Sequence, residues 1–121
     1  MTLTLFGIPN CDTMKKARVW LDAAGVGYSF HDYKKLGIDA GTLTRWCDAL
    51  GWETVLNRAG TTFKKLTDTD KANLDQAKAI ALMLAQPSMI KRPVVEGAKS
   101  KGEPVLLVGF KPDIYARQLS A

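Results

Sequence analysis

Residues 2–24 read TLTLFGIPNCDTMKKARVWLDAA. This stretch predicts a short apolar strand over Thr2–Phe6 and a helix from about Met14 to Ala24. Cys11 falls in the turn between them, where the helix begins. The unpaired N–H groups and the positive dipole end of a helix both favour a thiolate over a thiol. Such sites lower the pKa of a cysteine from about 8.5 to roughly 3.5–7.5, so the sequence predicts that Cys11 is a nucleophile. The alternative is a small buried cysteine that only fits the loop.

The composition is that of a globular protein with a mildly basic surface. The chain has 121 residues, 46% of them hydrophobic and 24% charged, and a formal net charge of +5. These values suit one domain of ordinary size. The basic residues form short pairs and no run interleaved with aromatic residues, so the charge indicates attraction for small anions and no nucleic-acid partner. The pairs are Lys15-Lys16, Lys34-Lys35 and Lys64-Lys65.

The chain carries no sign of export or membrane insertion. No segment approaches the roughly 20 apolar residues that a membrane span needs. The N-terminus enters a strand without the basic and apolar regions of a signal peptide. Cys11 and Cys47 are too few for a secreted disulfide scaffold. We therefore expect a cytoplasmic chain without a membrane partner.

The single histidine and the second cysteine fit structural roles. Cys47 shares a predicted helical face with Leu43 and Leu50, which indicates a buried structural thiol. His31 lies alone on a predicted strand, where a structural role is more common than a catalytic one. A zinc site needs about four ligands at suitable spacing, and we predict no metal site.

The order of predicted elements indicates an α/β fold. A first part, β-α-β, ends with a strand over Tyr28–Tyr33, and the helix within it directs Val19 and Trp20 toward a core. Helices dominate residues 36–87, interrupted by a loop at Gly60–Thr62. The last part is β-β-α, and its elements are strands over Val94–Glu96 and Val105–Val108 and a short helix from Lys111-Pro112 to Leu119. We predict a single domain over residues 1–121 with a helical insertion over about residues 36–87.

Two arginines are candidate anion ligands. Arg92 precedes Pro93 at the entry to a strand, a place where a cis X–Pro bond serves a specific local geometry. The Arg92 guanidinium offers a planar fork to an oxyanion or carboxylate. The alternative is an ordinary trans proline beside a solvated arginine. Arg58 lies at a helix-to-loop transition and is either an anion ligand or a surface charge.

Three segments together resemble the arsenate reductase and Spx-like family over essentially the whole chain. The resemblance is greatest to its YffB-like branch, described as glutathione-dependent thiol reductases. It implies a thioredoxin-like fold with a helical insertion, with Cys11 as the nucleophile and Pro93 as a cis-proline facing it. The segments are GIPNCDT at residues 7–13 followed by KKA, LNR at 56–58 followed by GTTF, and IKRPV at 90–94.

The chain departs from two patterns of this family. Its arsenate reductases place three arginines around the cysteine, of which Arg58 and Arg92 carry over, while Lys111 replaces the third and loses the bidentate fork. They also carry a histidine shortly before the cysteine, where this chain has FGI at residues 6–8. Both departures count against arsenate as the substrate. The Spx-like regulators usually carry a Cys-x-x-Cys switch, and Met14 stands at its fourth position here, so turnover would need an external thiol.

We therefore predict a glutathione-dependent thiol-disulfide reductase that acts through the single catalytic cysteine Cys11. Glutathione is the expected co-substrate, and a small-molecule or protein disulfide is the expected partner of a monomeric enzyme. The alternatives are an arsenate reductase and an Spx-like, redox-tuned adaptor that binds RNA polymerase. The residues that we predict to bind glutathione or substrate are Asn10, Arg58, Arg92, Pro93 and Lys111.

Overall fold

The computed structural model describes residues 2–9 and 11–119, which form two compact units. One unit combines the chain up to Leu36 with the chain from Arg92 onward, and the other is Gly37–Lys91. The second unit covers most of the segment predicted as a helical insertion. The single-domain organisation over residues 1–121 stays a prediction.

The helices and strands follow one another in the predicted order. In chain order they are β1 (Thr2–Gly7), α1 (Asp12–Ala23), β2 (Ser29–Asp32), α2 (Tyr33–Leu36), α3 (Ala40–Leu50), α4 (Trp52–Val55), α5 (Thr61–Lys64), α6 (Asp68–Lys71), α7 (Gln76–Ala85), a 3₁₀ turn (Pro87–Met89), β3 (Val94–Ala98), β4 (Pro104–Val108) and α8 (Pro112–Leu119).

The strands of the first unit form a mixed sheet in the order β2-β1-β3-β4. β1 and β2 are parallel and joined by α1, while β3 is antiparallel to both β1 and β4. This β-α-β and β-β-α arrangement confirms the α/β class and the thioredoxin-like fold.

The core of this unit lies between the sheet and two helices. Leu3 and Leu5 alternate along β1 and are buried on one face, as a half-buried strand requires. α1 and α8 cover that face with side chains at helical spacing. The buried helical residues are Met14, Ala17, Leu21, Tyr115 and Leu119.

The prediction that Val19 faces the core is wrong. Its side chain is 67% exposed, because Val19 lies two residues from both Ala17 and Leu21 and therefore on the opposite side of α1. Trp20 is only half-buried, with its ring edge-on to the Tyr115 ring at 5.5 Å. The run of apolar letters at residues 19–21 thus splits between core and surface.

The register of the sheet brings four chain segments to one edge. β1 and β2 end there together, with Gly7 paired to Asp32. β3 begins and β4 ends at the same edge, because Val94 pairs with both Phe6 and Val108. The segments that leave or enter this edge contain Cys11, Tyr33, Arg92-Pro93 and Gly109–Lys111.

The unit Gly37–Lys91 is helical and closed by backbone pairing. α3 buries Leu43, Trp46 and Cys47, and Asp39 caps it by accepting a 2.6 Å hydrogen bond from the Thr42 N–H. An isolated antiparallel bridge joins Leu56 to Ile90.

The predicted loop at Gly60–Thr62 is wrong, because α5 begins at Thr61 and Gly60 is its N-terminal cap. Glycine and threonine are both tolerated where a helix starts, so their low helix propensity marks a boundary here instead of a loop. The predicted strand to Tyr33 also ends one residue early, since Tyr33 begins α2.

Replacing Gly97 with alanine is expected to destabilise the sheet by about 1–3 kcal/mol, the usual cost of overpacking. A Cβ at this position would overlap the Thr2 carbonyl oxygen of the neighbouring strand and lie 2.9 Å from the Leu3 Cα. Neither backbone atom can rotate away. Urea denaturation measures the loss.

Gly27→Ala is the matched control for this substitution. A Cβ at Gly27 would have nothing within 4 Å, so its free energy of unfolding should stay close to that of the parent protein. Equal unfolding midpoints for the two alanine variants would contradict the importance of this close strand contact.

Candidate active site

Cys11 caps the first turn of α1. Its extended backbone, with φ −112° and ψ 133°, turns the chain into the helix, and its carbonyl accepts the first helical hydrogen bond from the Lys15 N–H at 2.9 Å. The side chain is half-buried and carries a free thiol. The local sequence therefore presents the sulfur at a helix N-terminus, as predicted.

Gly7 and Met14 fix how the helix starts against the end of β1. Met14 is 1% exposed, and its thioether occupies the space that a Cβ on Gly7 would fill. A larger residue at position 7 would therefore displace Met14 and the first turn of α1. This contact fixes the first turn of α1, which follows Cys11, against the end of β1.

The pKa of the Cys11 thiol lies below its ordinary value. Partial burial is the largest single influence and raises the pKa. Hydrogen bonding from the Met14 and Thr13 backbone N–H groups, followed by the charge and hydrogen bonding of Arg92, lowers the pKa, and together these effects outweigh burial. The neutral side chain makes no capping hydrogen bond of its own, so these donors act chiefly on the thiolate. The net direction agrees with a nucleophilic cysteine.

Arg92 is placed beside Cys11 by the entry to β3. The Arg92–Pro93 peptide bond is cis, which confirms the predicted isomer. Pro93 is buried, and its carbonyl accepts a 2.8 Å hydrogen bond from the Gly109 N–H. Gly109 has a φ of 81°, a conformation that glycine adopts without strain, and its own carbonyl accepts from the Tyr115 hydroxyl at 2.8 Å.

Tyr33 belongs to the same cluster and was missed by reading the sequence. Its side chain is 0% exposed. Burial raises the pKa of its hydroxyl well above the ordinary value, while the charge and hydrogen bonding of Arg92 oppose that rise and the charges of Cys11 and Asp32 add to it. The available signal was the parallel pairing of the first two strands, which brings the residue after the second strand to the edge that carries Cys11.

Lys111 and Arg58 are not among the groups that lower the pKa of Cys11. Lys111 is exposed at the start of α8, on the sheet edge described above. Arg58 lies in the helical unit, exposed, with its guanidinium 5.5 Å from the centre of the Trp52 ring. Asn10 lies outside the described residues. The roles of these three residues stay predictions.

Cys47 has the properties of a structural thiol. It is 2% exposed on α3, and burial, followed by the charge of Asp48, raises the pKa of its thiol. The predicted burial of Cys47 is confirmed. The two cysteines thus differ in the direction of their pKa shifts as well as in their access to solvent.

The described residues 2–9 and 11–119 contain neither a cluster of metal ligands nor a membrane-spanning helix. No group of three or more His, Cys, Asp or Glu side chains in these ranges is arranged to hold a metal ion. Within the same part of the chain, no helix is long and apolar enough to cross a membrane.

The model of the ArsC family matches residues 6–118. The chain belongs to the ArsC family. The match spans both compact units, from the end of β1 to the end of α8. The resemblance to the arsenate reductase and Spx-like family is thereby confirmed.

Named relatives extend this placement. A solved protein named YffB is 63% identical, with a TM-score of 0.90 and coverage of 98% of this chain and 99% of its own. An arsenate reductase (ArsC) related protein from Brucella melitensis is 54% identical, with a TM-score of 0.73 and coverage of 100% and 97%. The global transcriptional regulator Spx of Streptococcus mutans is 27% identical over 92% of this chain and 78% of its own length. These relatives place the chain in the YffB-like branch.

Alkylation by iodoacetamide should modify Cys11 faster than Cys47 at neutral pH. The rate should fall as the pH drops through the lowered pKa of Cys11, because protonation removes the thiolate. Stopped-flow alkylation with mass-spectrometric assignment measures both rates. Cys11→Ser should abolish the fast phase and Cys47→Ala should retain it, whereas the reverse pattern would contradict the assignment.

Proposed function

We propose that this protein is a glutathione-dependent thiol-disulfide reductase with Cys11 as its nucleophile. The observation that carries the proposal is the half-buried Cys11 thiol at the start of α1, with a lowered pKa, beside the Arg92 guanidinium. Attack on a disulfide of glutathione, an anionic tripeptide, requires a thiolate, which the lowered pKa of Cys11 favours, and an adjacent cation attracts such a substrate.

The reaction proceeds by two thiol-disulfide exchanges. In the first, the Cys11 thiolate attacks the glutathione sulfur of a mixed disulfide, the substrate's S–S bond breaks, and the substrate leaves as a thiolate that takes a proton from water. In the second, the thiolate of another glutathione attacks the glutathione sulfur bound to Cys11. Oxidised glutathione leaves and the Cys11 thiolate is restored, so each cycle consumes one free glutathione and the other half of the oxidised glutathione comes from the mixed-disulfide substrate.

An external thiol is the natural reductant for this site. Met14 stands three residues after Cys11, where a local resolving cysteine would stand, and it is buried in the core. Cys47 is buried in the helical unit and its pKa is raised. Neither side chain is suited to resolving a mixed disulfide at Cys11.

In this proposal the cationic residues bind the carboxylates of glutathione. Arg92 offers a planar fork that matches a carboxylate, and Lys111 offers a point charge on the same sheet edge. Arg58 and Asn10 complete the proposed binding set, and Pro93 supplies buried backbone at the entry to β3. The proposed partners are therefore glutathione and a small-molecule or protein disulfide.

Arsenate reduction is the second candidate, favoured by family membership and by the Brucella melitensis relative, which is described as related to arsenate reductase. Lys111 counts against it, because an ammonium group does not form the bidentate contact that an arginine makes with an oxyanion. The relationship to Spx favours a third candidate, an adaptor for RNA polymerase. With Met14 at the fourth position of the Cys-x-x-Cys pattern, this chain cannot form the local disulfide switch of such an adaptor. Binding to RNA polymerase is a separate property and can be tested directly.

Incubation with oxidised glutathione should form a mixed disulfide at Cys11 alone, and excess reduced glutathione should release it. Mass spectrometry of the intact protein and its peptides locates the adduct. Turnover of a glutathionylated peptide disulfide should exceed turnover of arsenate when glutathione is the reductant for both.

Two control variants and two outcomes decide between the candidates. Cys11→Ser should lose the adduct and the turnover, and Cys47→Ala should keep both. Arsenate turnover without disulfide turnover would identify an arsenate reductase. Absence of both activities, with tight binding to purified RNA polymerase, would identify an adaptor.

Arg92→Ala and Arg58→Ala should each weaken glutathione binding by about tenfold or more. Hydrogen bonds to charged groups contribute about 1.5–3 kcal/mol, and tenfold in affinity corresponds to about 1.4 kcal/mol. Calorimetry on the Cys11→Ser protein measures binding without disulfide exchange. Arg117→Ala, at an exposed position of α8, is the control for a general loss of positive charge, and an equal effect of all three substitutions would refute specific recognition.

A further inference from the structure

Tyr33 is a buried tyrosine next to the nucleophile that the reaction above does not use. It follows Asp32 directly, and Asp32 pairs with Gly7 at the end of β1. Its backbone position is fixed, because the Asp32 carboxylate accepts hydrogen bonds from the Lys34 and Lys35 N–H groups at 3.0 and 3.3 Å. The ring therefore enters the interior at the same sheet edge as Cys11.

The side chain that acts on the Tyr33 hydroxyl is Arg92, whereas the other fully buried tyrosine in this unit bonds to a backbone carbonyl. Tyr115 donates its hydroxyl proton to the Gly109 carbonyl, and its raised pKa has burial as its cause. The Tyr33 hydroxyl instead interacts with the Arg92 guanidinium, which in turn acts on the Cys11 sulfur. A buried hydroxyl requires such a partner, because leaving it unpaired is costly.

The hydroxyl stays neutral over the range in which Cys11 titrates. The groups that act on it are Arg92, Cys11 and Asp32, and burial outweighs the one cation among them. A neutral hydroxyl oxygen accepts an N–H from the guanidinium without cancelling its charge. A carboxylate at the same place would compete with the thiolate for that charge.

We propose that Tyr33 is a positioning residue: its hydroxyl accepts a hydrogen bond from Arg92 and holds the guanidinium beside the Cys11 sulfur. An arginine side chain has many rotamers, and a fixed acceptor selects those that face the thiolate. This role rests on the thiol chemistry proposed above. Tyr33 thereby stabilises the attacking thiolate, and the leaving thiolate of Cys11 in the second exchange, through Arg92.

The test is a double-mutant cycle on the pKa of Cys11. Tyr33→Phe keeps the ring and removes the acceptor, so the pKa of Cys11 should rise by about one unit, which corresponds to about tenfold less thiolate below that pKa. Arg92→Ala should raise it at least as much. Adding Tyr33→Phe to Arg92→Ala should cause no further rise. The pH dependence of iodoacetamide alkylation provides the pKa in each variant.

Tyr28→Phe is the matched control. The Tyr28 hydroxyl also accepts from an arginine, the Arg18 Nε at 3.2 Å, but Arg18 lies about two turns along α1 from Cys11. Its loss should leave the pKa of Cys11 unchanged. An equal rise in the Tyr28 and Tyr33 variants would overturn the proposal, because it would show a general structural effect.

Two further outcomes would overturn it. An unchanged pKa of Cys11 in Tyr33→Phe would show that Arg92 needs no acceptor. A rise of the same size in the Arg92→Ala background would show that Tyr33 acts on the sulfur directly. If Tyr33→Phe does not fold, a fluorinated tyrosine at position 33 weakens the acceptor and should raise the pKa of Cys11 by a smaller amount, and no rise in that protein would also refute the role.

Alkylation needs no glutathione, which separates this proposal from the proposed function. Loss of turnover with every disulfide substrate would refute the proposed reductase activity, but the double-mutant cycle on the pKa of Cys11 could still be interpreted. Normal turnover with an unchanged pKa of Cys11 in Tyr33→Phe would refute only the role of Tyr33.

Discussion

The site depends on one constraint: β1 lies between two strands that run in opposite directions, parallel β2 and antiparallel β3. A parallel partner on one side and an antiparallel partner on the other mean that one edge of the sheet collects the ends of β1 and β2 and the start of β3. Cys11, Tyr33 and Arg92 are far apart in the sequence but leave or enter this edge. Shifting the register by one residue would turn the buried face of β1 to solvent, so the same hydrophobic burial that folds the sheet also aligns the segments that carry these three residues.

The chemistry of Cys11 is a balance between burial and donors. Burial alone would favour the neutral thiol, and it is the largest single influence on the sulfur. The helix-start amides of Met14 and Thr13, together with Arg92, reverse that direction. Because the amides are fixed by α1 while the guanidinium is carried by a long side chain, Arg92 is the part of this balance that neighbouring groups can influence. A ligand carboxylate or a buried acceptor that engages Arg92 therefore changes the reactivity of the thiol.

The sequence allowed the elements and the position of Cys11 at a helix start to be predicted where local patterns are strong. The strand-turn-helix around Cys11, the proline at Pro93 and the final helix are all signalled by residues that are neighbours in the chain. Val19 and Tyr33 were misjudged for a shared reason. Which side of a helix a residue lies on, and where a strand ends, depend on the exact residue at which the element begins. An error of two residues in a helix, or of one in a strand, puts a side chain on the opposite side. The short helix α5 was missed because Gly60 and the threonines after it are equally common at helix starts and in loops.

Met14 shows how packing and redox chemistry are coupled in this fold. The position three residues after Cys11 faces inward from the first turn of α1, and here a long thioether fills it against Gly7. A cysteine at this position would remove side-chain volume from the core and leave a space above Gly7. A local disulfide in this chain would thus need a different contact between α1 and β1 as well as a second thiol. Packing thus accounts for the residue at this position: Met14 fills the space above Gly7, and Cys11 has no cysteine three residues after it.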